Sequence, residues 1–458
     1  MDAKKREKAL RIFAKVLNDI KPSKLETEAT TASVNKITSE LLKIVPKDVE
    51  IKVVGSIARG TELKGNSDID IFLLFSKKVG KDKVTEYGIR YGKELAKRMG
   101  GRYEIRYAEH PYLRLYITNI GADIDIVPAY KIINITEMGT TVDRTPLHND
   151  FINMHLNDKQ RDDVRLLKAL LNSHGIYGAE VKTRGFSGYL CELLVYHYRS
   201  LLNLLEEATQ IKLPYYLNPL NPEEKGSKEI FEKFNSDFVV IDPVDQNRNV
   251  AAVVSHESLS KFIVVAKMFI ENPSEKMFYG YKVSSADSYS MLRQYMKANG
   301  LSASLLVVPI PDKSEDITWP QLKKLSGAIV DYVARNGFQV YIELVTVKDM
   351  EGLVLYMYPS ASAKTRMLKG PSVPGNSGAA LSFINAHLGS SIIFSNSTLY
   401  VMEKARYENM NEAIADFIKR EAHKKHKDIK LSKAKLASTI PERYAEQLYW
   451  ELLAKTSI

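Results

Sequence analysis

Two aspartates near the start of the chain have the spacing of a metal site. Asp68 and Asp70 flank Ile69 in an apolar segment that predicts a strand. Because alternate residues of a strand share one face, the two carboxylates should project side by side, where they repel each other unless cations lie between them. Magnesium prefers a few hard oxygen ligands and keeps part of its water. The pair therefore predicts a magnesium site for phosphoryl transfer, rather than a strand edge with two solvated acids.

A two-metal site needs a third carboxylate, and the segment ADIDIV offers two candidates. Asp123 and Asp125 also alternate along a predicted strand and share one of its faces. The alternation does not choose between them. One would be a metal ligand, and the other an acid behind the site or at its rim.

A glycine–serine pair precedes the aspartates by eleven residues. Gly55 and Ser56 follow the predicted strand VEIKVV and stand before IARG, which can open a helix. A glycine lets phosphate approach the backbone, and a serine hydroxyl with free amides can hold it. Such a dipeptide alone is usually just a turn. Its spacing to Asp68 and Asp70 is what indicates a phosphate site.

Short β-rich segments and amphipathic helices must position these residues. Leu10, Phe13, Val16, Leu17 and Ile20 recur at helical spacing until Pro22, and a second helix follows with Val34, Ile37, Leu41 and Leu42 on one face. Strands are predicted at 49–54, 69–75, 103–107, 112–117 and 122–127, with a helix at 81–99. This pattern predicts an α/β or α+β domain that ends near residue 150.

The rest of the chain alternates between helical and mixed segments. The string GYLCELLVYHYRSLLNLL predicts one long helix, and residues 211–250 predict loops with one helix. Residues 302–359 predict strand, helix, strand, strand, and the tail from about 378 is predicted to be mostly helical. We expect a loop over 366–376 to bind RNA phosphates through Arg366 and Lys369. The Lys-rich run 423–435 is expected to contribute less to this binding.

Composition narrows the class of protein. The chain of 458 residues carries a formal net charge of +10, which makes nucleic acid a candidate partner. Its one cysteine, Cys191, excludes an internal disulfide and a Cys-rich zinc site. The N-terminus has no apolar segment of the signal-peptide kind, and no apolar run reaches the ~18 residues of a bilayer span. We therefore expect a cytoplasmic protein that has no membrane contact.

Longer strings carry a resemblance that covers residues 50–255 densely and thins after that. They are GSIARGTELKGNSDIDIFLLF, YEIRYAEHPY, DIDIVPAY, VDRTPLH, VRLLKALLNSHGIYGAE, RGFSGYLCELL and DPVDQNRNVAA. In this order they resemble the archaeal-type (class I) CCA-adding enzymes, which are tRNA nucleotidyltransferases of the polymerase-β superfamily. A chain of motifs in one order is more specific than the superfamily signature alone.

The resemblance implies a fold and an activity. The fold would be α+β and multidomain, with a polymerase-β-type head at 1–150, a helical neck at 151–275, an α+β body at 276–377 and a mostly helical tail at 378–458. The activity would be template-independent addition of CCA to the 3′ end of tRNA from CTP and ATP, with two Mg²⁺ ions and release of pyrophosphate. Body and tail would bind tRNA, and the protein would be a homodimer.

The resemblance also implies roles for individual residues. Asp68, Asp70 and Asp125 would be the catalytic metal ligands, since Asp125 stands directly before Ile-Val-Pro. Gly55, Ser56 and Arg59 would hold the triphosphate, and Arg248 would face the base edge. The remaining residues of the nucleotide pocket would be His110, Thr145, His148, Lys168 and Tyr177. Without the resemblance, the two histidines would be read as core residues, Lys168 and Tyr177 as helix surface and core, and Arg248 as solvated.

One arginine is chemically able to read both bases. Cytosine and adenine each present an exocyclic amine beside a ring nitrogen acceptor, and the rigid guanidinium fork offers donors to either. Uracil and guanine present a carbonyl and a ring N–H at that edge. An unpaired buried polar group costs ~1–3 kcal/mol, enough for a ~10–100-fold preference per mismatch.

Three other classes of protein share parts of this signature. A poly(A) polymerase or oligoadenylate synthetase has the same aspartates and differs in its pocket and product. A catalytically silent RNA-binding protein would not need Asp68, Asp70 and Asp125 intact. A small-molecule nucleotidyltransferase of the antibiotic-modifying kind would be shorter and less basic.

Overall fold

The computed structural model describes residues 1–65, 68–106, 110–118, 120–280, 285–311, 315–360, 365–421 and 429–456, without the side chains at 285, 286, 315, 316 and 366. The chain divides into two compact units. One contains residues 1–179 and 183–280, and the other contains residues 180–182 and 281–457. All the residues predicted to do chemistry belong to the first unit.

A five-stranded sheet organises the N-terminal part of the first unit. Its strands are β1 (Glu50–Val54), β2 (Ile69–Phe75), β3 (Arg102–Arg106), β4 (Tyr112–Tyr116) and β5 (Asp123–Tyr130), in the order β1-β2-β5-β4-β3. The two central strands, β2 and β5, are parallel, and the other neighbours are antiparallel. Central strands are covered on both faces, which explains why β2 and β5 are nearly continuous apolar runs. The predicted strands are confirmed, except that Tyr107 lies outside the described residues.

Three helices belong to this part: α2 (Lys24–Leu42), α3 (Gly55–Arg59) and α4 (Lys81–Arg98). The first helix of the chain, α1 (Ala3–Ile20), instead packs into the core of the helical part. Helix α2 begins with a capping box, in which Ser23 and Glu26 satisfy each other's backbone amides. Helix α4 packs closely on β5 because Gly88 has no side chain. A Cβ there would lie 2.5 Å from Cβ of Pro128. Ile37 and Leu41 are buried as predicted, whereas Leu10 and Leu42 are exposed.

A helical part completes the first unit. Its elements are α5 (Thr145–His155), α6 (Asp158–Ser173), α7 (Gly188–Tyr198), α8 (Leu201–Ala208), β6 (Tyr215–Leu217), α9 (Lys228–Phe234), β7 (Phe238–Val240) and α10 (His256–Glu271). Short 3-10 helices lie at Ile135–Glu137, Thr141–Arg144 and Glu275–Phe278. Strands β6 and β7 form a two-stranded parallel sheet that the sequence analysis did not predict.

The single long helix predicted for GYLCELLVYHYRSLLNLL is wrong. Arg199 has a left-handed backbone (φ 69°) and ends α7, and the Ser200 side chain then accepts the amide of Asn203 to cap α8. The apolar stripe continues through the break, because both helices bury Leu residues in the same core. Periodicity alone therefore could not reveal the break.

The second unit contains two sheets. Its elements are α11 (Ser285–Ala298), β8 (Leu301–Pro309), α12 (Glu315–Arg335), β9 (Ile342–Lys348), β10 (Glu351–Pro359), β11 (Thr365–Ser372), α13 (Ser377–Ala386), β12 (Ser391–Ser395), β13 (Thr398–Lys404), α14 (Met410–Glu421), a 3-10 turn at Leu431–Lys433, β14 (Lys435–Ala437) and α15 (Glu442–Thr456). Strands β14-β8-β10-β9 form one antiparallel sheet, and β11-β13-β12 form another. The predicted strand, helix, strand, strand order over 302–359 is confirmed.

The tail differs from the prediction in two ways. Most of the loop predicted over 366–376 belongs to strand β11 (Thr365–Ser372), and the tail contributes three further strands besides its helices. Cross-strand pairing with β13, about thirty residues later, makes β11 a strand although it contains glycine and proline. The first six residues of the Lys-rich run 423–435 lie outside the described residues. None of the described helices is long and apolar enough to span a membrane.

Candidate active site

The predicted metal ligands meet where the two parallel strands begin. Asp70 on β2 and Asp125 on β5 are directly opposite each other in the parallel register. Asp68 stands one residue before β2 starts and is exposed, so it lies at the mouth of this site rather than inside the strand. Asp125 is buried. The strand pairing thus brings together carboxylates that are more than fifty residues apart in sequence.

Gly55 is required by the position of Asp70. It connects β1 to α3 with a left-handed backbone (φ 80°), and a Cβ at this position would lie 2.0 Å from Oδ2 of Asp70. Any other residue would displace either the turn or the carboxylate. The glycine was predicted to let phosphate approach, and the structure shows that it also makes room for Asp70. Ser56 follows in α3, where its carbonyl accepts the amide of Thr61 at 2.9 Å.

The carboxylates oppose one another's ionisation. Burial, and secondly the negative charge of Asp125, raise the pKa of Asp70 to about 7. Burial also raises the pKa of Asp68 above its ordinary value, and the charges of Asp123 and Asp125 add to that rise. A cation bound between these groups would relieve this repulsion. Their oxygens are the hard donors that Mg²⁺ prefers.

Arg114 is a functional candidate that the sequence analysis missed. It lies opposite Asp125 on β4 and donates from Nε to Oδ1 at 2.7 Å and from Nη2 to Oδ2 at 2.6 Å. The hydrogen bonds with Asp125 raise the pKa of the guanidinium further. A charged residue at an alternating position of the apolar segment YLRLYI was the available signal. This fork binds both oxygens of the predicted third ligand.

The structure distinguishes the two aspartates that alternation could not separate. Asp123 is 3.7 Å from Nη1 of Arg114, and its side chain is 40% exposed, compared with 11% for Asp125. Asp123 and Asp68 line a separate cavity of about 470 Å³. As placed, no three His, Cys, Asp or Glu side chains within the described ranges form a ready-made metal cluster. Arg114 is one reason why Asp125 does not complete such a cluster, because both oxygens of Asp125 accept hydrogen bonds from its guanidinium.

A cavity of about 430 Å³ opens beside Asp70 and contains several of the predicted nucleotide-binding residues. Gly55, Arg59, His110 and Thr145, four of the residues predicted to bind the nucleotide, line it together with Asp70. Apolar and hydroxyl side chains complete its wall: Val54, Phe72, Tyr112, Val127, Thr141 and Val142. The cavity therefore has an acidic end, a cationic side chain and an apolar wall, a combination suited to a nucleotide.

Behind Arg59 lies a buried network that we call the Glu192 cluster, made of Arg59, Thr61, Lys168 and Glu192. Oε1 of Glu192, which is 0% exposed, accepts from Nε of Arg59 at 3.0 Å and from the hydroxyl of Thr61 at 2.6 Å. Nζ of Lys168 donates to the carbonyl of Thr61 at 2.9 Å and to its hydroxyl at 3.2 Å. Burial lowers the pKa of Lys168. One carboxylate thus anchors two cationic side chains beside the cavity.

Tyr177 lies next to this cluster. A Cβ built on Gly188, the first residue of α7, would lie 3.2 Å from the hydroxyl of Tyr177 and 3.6 Å from Cε of Lys168. Lys168 and Tyr177 are therefore close to each other, as the resemblance implied. Without the resemblance, Lys168 would have been interpreted as a helix-surface residue. That interpretation is wrong, because Lys168 is buried.

A second network, the Asp242 cluster, consists of His148, Tyr189, Asp242 and Arg248. Oδ2 of Asp242 is 2.8 Å from Nε2 of His148 and accepts from Nη1 of Arg248 at 2.9 Å. Oδ1 accepts from the hydroxyl of Tyr189 at 3.0 Å. His148 lies one turn after Thr145 on α5, and Thr145 lines the cavity. The sequence analysis named His148 and Arg248 but missed Tyr189, Asp242 and Glu192.

Three family descriptions match consecutive parts of the chain. Residues 34–148 match "Nucleotidyltransferase domain", residues 162–279 match "tRNA nucleotidyltransferase, second domain", and residues 300–435 match "CCA-adding enzyme, C-terminal domain". The first range contains the aspartates, and the second contains both Glu192 and Asp242. The site is therefore built from two of the three matched regions.

Curated relatives match over most of their length. The chain is 40% identical to the CCA-adding enzyme of Methanocaldococcus jannaschii over 346 residues, which are 72% of this chain and 73% of that protein. It is 34% identical to the CCA-adding enzyme of Pyrobaculum islandicum over 420 residues, covering 90% of this chain and 93% of that protein. A crystal structure of the Cid1 poly(U) polymerase overlaps with 59% of this chain at a TM-score of 0.48 and 17% identity.

Proposed function

This chain belongs to the archaeal CCA-adding enzymes, and we propose that it adds C, C and A to the 3′ end of tRNA from CTP and ATP with release of pyrophosphate. The observation that carries the site assignment is the pairing of Asp70 with Asp125 on parallel strands, with Gly55 against Asp70. The nucleotide would lie in the adjoining cavity of about 430 Å³. The residue roles below are part of this proposal.

The carboxylates are proposed to hold two Mg²⁺ ions through Asp68, Asp70 and Asp125. When bound, such ions activate the attacking 3′ hydroxyl and support the leaving pyrophosphate. The raised pKa of Asp70 supports this role, because burial and then the negative charge of Asp125 disfavour the ionised carboxylate, which a bound cation would stabilise. Arg114 donates to both oxygens of Asp125 and so restrains the rotation of this carboxylate.

The triphosphate is assigned to the side of the cavity where Gly55, Ser56 and Arg59 lie. Lys168 and Tyr177 stand behind Arg59, and His110 completes the wall near Asp70. A phosphate chain brings negative charge, which restores the preference of a buried lysine for its protonated form. The Glu192 cluster can therefore bind the chain most strongly when Lys168 is charged.

The base is assigned to the end of the cavity that Thr145 lines, where Arg248 would read its edge. Thr145 and His148 both lie on α5. Arg248 is one-third exposed, and its guanidinium is anchored on Asp242 at one nitrogen. Its other donors can therefore address a ligand. Cytosine and adenine offer acceptors to such a fork, whereas uracil and guanine oppose a donor with a donor.

The partners and the division into domains complete the proposal. The four parts 1–150, 151–275, 276–377 and 378–458 remain our proposed division, with tRNA bound by the body and tail. Lys369 on β11 is exposed and is a candidate phosphate contact. Arg366 is kept in this proposal as a sequence prediction, together with the Lys-rich run. The homodimer is likewise proposed, and light scattering at several protein concentrations tests it.

Product analysis tests the function. The protein is incubated with Mg²⁺, all four NTPs and a tRNA that ends at its discriminator base, and the new 3′ ends are sequenced. We expect C, C and A to be added before extension stops. With a tRNA that ends in CC, we expect one A and poor use of CTP.

Two results would contradict the proposal. A long homopolymeric A tail on any RNA would favour the poly(A) polymerase alternative. Transfer to a small alcohol or sugar, without extension of tRNA, would favour the small-molecule class.

A further inference from the structure

Asp242 occupies a closed loop directly after strand β7. It is 0% exposed. Its amide donates to the carbonyl of Arg248 at 3.1 Å, and its carbonyl accepts the amide of Asp245 at 3.2 Å. The loop is therefore fastened at both ends, and the position of Arg248 relative to Asp242 is set by the backbone before any side chain contributes.

Every hydrogen-bonding direction of the Asp242 carboxylate is used. Oδ1 accepts from the Tyr189 hydroxyl at 3.0 Å and from the amide of Val244 at 3.0 Å. Oδ2 faces Nε2 of His148 at 2.8 Å and Nη1 of Arg248 at 2.9 Å. A carboxylate has about four acceptor sites, so these contacts fix its rotation completely. A fixed carboxylate in turn restrains the guanidinium, because it holds Nη1 of Arg248 in one position.

Asp242 and Arg248 form the ion pair of this cluster. Burial lowers the pKa of His148, although the hydrogen bond and the charge of Asp242 oppose that shift. Burial alone would raise the pKa of Asp242, but the hydrogen bond and the charge of His148, followed by the hydrogen bonds from Val244 and Arg248, outweigh it and hold the pKa at about 2. The carboxylate is thus ionised at neutral pH, and Arg248 is its charged partner.

The ring of Tyr189 adds a second restraint. It stacks on the imidazole of His148 with 4.0 Å between ring centres and an interplanar angle of 24°. The same residue therefore holds both His148 and Asp242. His148, Tyr189 and Asp242 therefore restrain one another, and Asp242 restrains Arg248. Helix α5, which carries His148, also carries Thr145, which lines the cavity.

We propose that Asp242 is a positioning residue for base selection, whose carboxylate fixes the direction in which Arg248 presents its donors to the nucleotide base. This inference rests on the proposed function, because it assumes that Arg248 reads the base. It goes beyond that function by assigning the choice between bases to a residue that never touches the nucleotide. Without the anchor, the flexible arginine can turn toward the carbonyl edges of uracil and guanine.

The test compares base selectivity in three single variants and one double variant. Asp242→Asn keeps the shape of the side chain and removes its charge. Arg248→Ala removes the reader. Asp163→Asn is the matched control, because Asp163 is also a buried aspartate of the same unit, on α6. The double variant carries both Asp242→Asn and Arg248→Ala.

The readout is kcat/KM for single-nucleotide addition. CTP is compared with UTP on tRNA lacking CCA, and ATP with GTP on tRNA ending in CC. We expect Asp242→Asn to lower both selectivity ratios about 10-fold, within the range that one mismatched hydrogen bond provides. KM for CTP should change less than about 3-fold, since the phosphates bind elsewhere. The double variant should be no less selective than Arg248→Ala, because Asp242 acts through the arginine.

Several results would overturn the inference. Unchanged selectivity in a folded Asp242→Asn protein would do so, and so would multiplied losses in the double variant. Equal loss in Asp163→Asn would show a general effect of core changes. If Asp242→Asn does not fold, Tyr189→Phe removes another hydrogen bond to the same carboxylate, and unchanged selectivity there counts against the inference equally. A wild type that does not add CCA refutes the proposed function instead, which separates the two failures.

Discussion

The Glu192 cluster and the Asp242 cluster are each organised by a buried carboxylate, but they differ in the number of cationic side chains. Each is built on a carboxylate that is 0% exposed: Glu192 in one and Asp242 in the other. Glu192 anchors two cationic side chains, Arg59 directly and Lys168 through Thr61. Asp242 anchors one cation, Arg248, together with a tyrosine hydroxyl and a histidine whose pKa is lowered.

This difference suits one cluster to attracting the triphosphate and the other to orienting a hydrogen-bond donor toward the base. A network with more positive than negative groups attracts a polyanion, and burial strengthens that attraction because screening is weak. A network that is balanced attracts little but holds a donor in one direction. We therefore assign affinity for the triphosphate to the Glu192 cluster and choice of base to the Asp242 cluster.

The largest effect on the rate of nucleotide addition is expected from the three predicted metal ligands, because every NTP depends on them. Asp68→Asn, Asp70→Asn and Asp125→Asn should each lower kcat by at least about 1,000-fold with every NTP, since a lost metal ligand weakens transition-state stabilisation by several kcal/mol. Asp123→Asn should be milder, within about 10-fold. Single-turnover assays with CTP measure this. An inactive Asp123→Asn beside an active Asp125→Asn would show that the third ligand is assigned to the wrong aspartate.

Local spacing predicted one part of this site well. The strands that carry Asp70 and Asp125 follow from short apolar runs, and Gly55 follows from its place between a strand and a helix. The choice of Asp125 over Asp123 came from the resemblance, because alternation places both on one face. The predicted strand 69–75 already begins after Asp68, and pairing with β5 does begin at Ile69. Asp68 was nevertheless treated as one of the alternating strand residues.

The anchoring residues could not be predicted, because their partners are distant in the chain. Arg59 and Glu192 are 133 residues apart, and His148 and Asp242 are 94 apart. Glu192 lies inside the apolar helix α7, and Asp242 lies in a polar loop. The residues next to them in sequence do not indicate which distant side chains they bind. Their roles come from tertiary packing, which also explains why strand β11 was predicted as a loop.

The next effect is on affinity alone. Glu192→Gln removes the charge that holds Arg59 and Lys168 in place, and uncompensated buried cations are costly, by about 3–5 kcal/mol when a buried pair is broken. We expect KM for CTP and ATP to rise together by about 10-fold or more, with base selectivity unchanged. Steady-state kinetics with Asp163→Asn as the control measure this. A loss of selectivity without a change in KM would reverse the assignment of the two clusters.

A smaller effect is expected from Tyr189→Phe. The change removes the hydroxyl that donates to Asp242 at 3.0 Å and keeps the ring that stacks on His148. Since three other hydrogen bonds to the carboxylate remain, we expect misincorporation of UMP to rise about 3- to 10-fold, consistent with one hydrogen bond to a charged group. Competition between CTP and UTP measures the ratio. A rise in KM for CTP with constant selectivity would contradict the comparison.

The smallest effect is on stability, and its sign differs between two buried aspartates. The pKa of Asp242 is held at about 2, below its ordinary value, so its contribution to stability is present above about pH 4 and is lost as pH falls toward 2. Burial raises the pKa of Asp163 to about 6, above its ordinary value, so its cost to stability grows as pH rises from about 4 to about 6 and is complete above that.

Thermal unfolding at several pH values checks these signs. Asp242→Asn should lower the unfolding temperature by a few degrees at pH 7, and the difference from wild type should shrink below about pH 4. Asp163→Asn should raise the unfolding temperature at pH 7 and have little effect near pH 4. Shifts of the same sign at pH 7 would show that burial alone, rather than anchoring, sets the state of Asp242.

A structure of the wild-type protein with CTP and Mg²⁺ shows which of the two clusters faces which end of the nucleotide. We predict that the triphosphate lies within hydrogen-bond distance of Arg59 and Lys168 and that the cytosine edge faces the Arg248 guanidinium, with Arg248 still bound to Asp242. A base that points away from Arg248, or phosphates bound at the Asp242 cluster, would contradict the account.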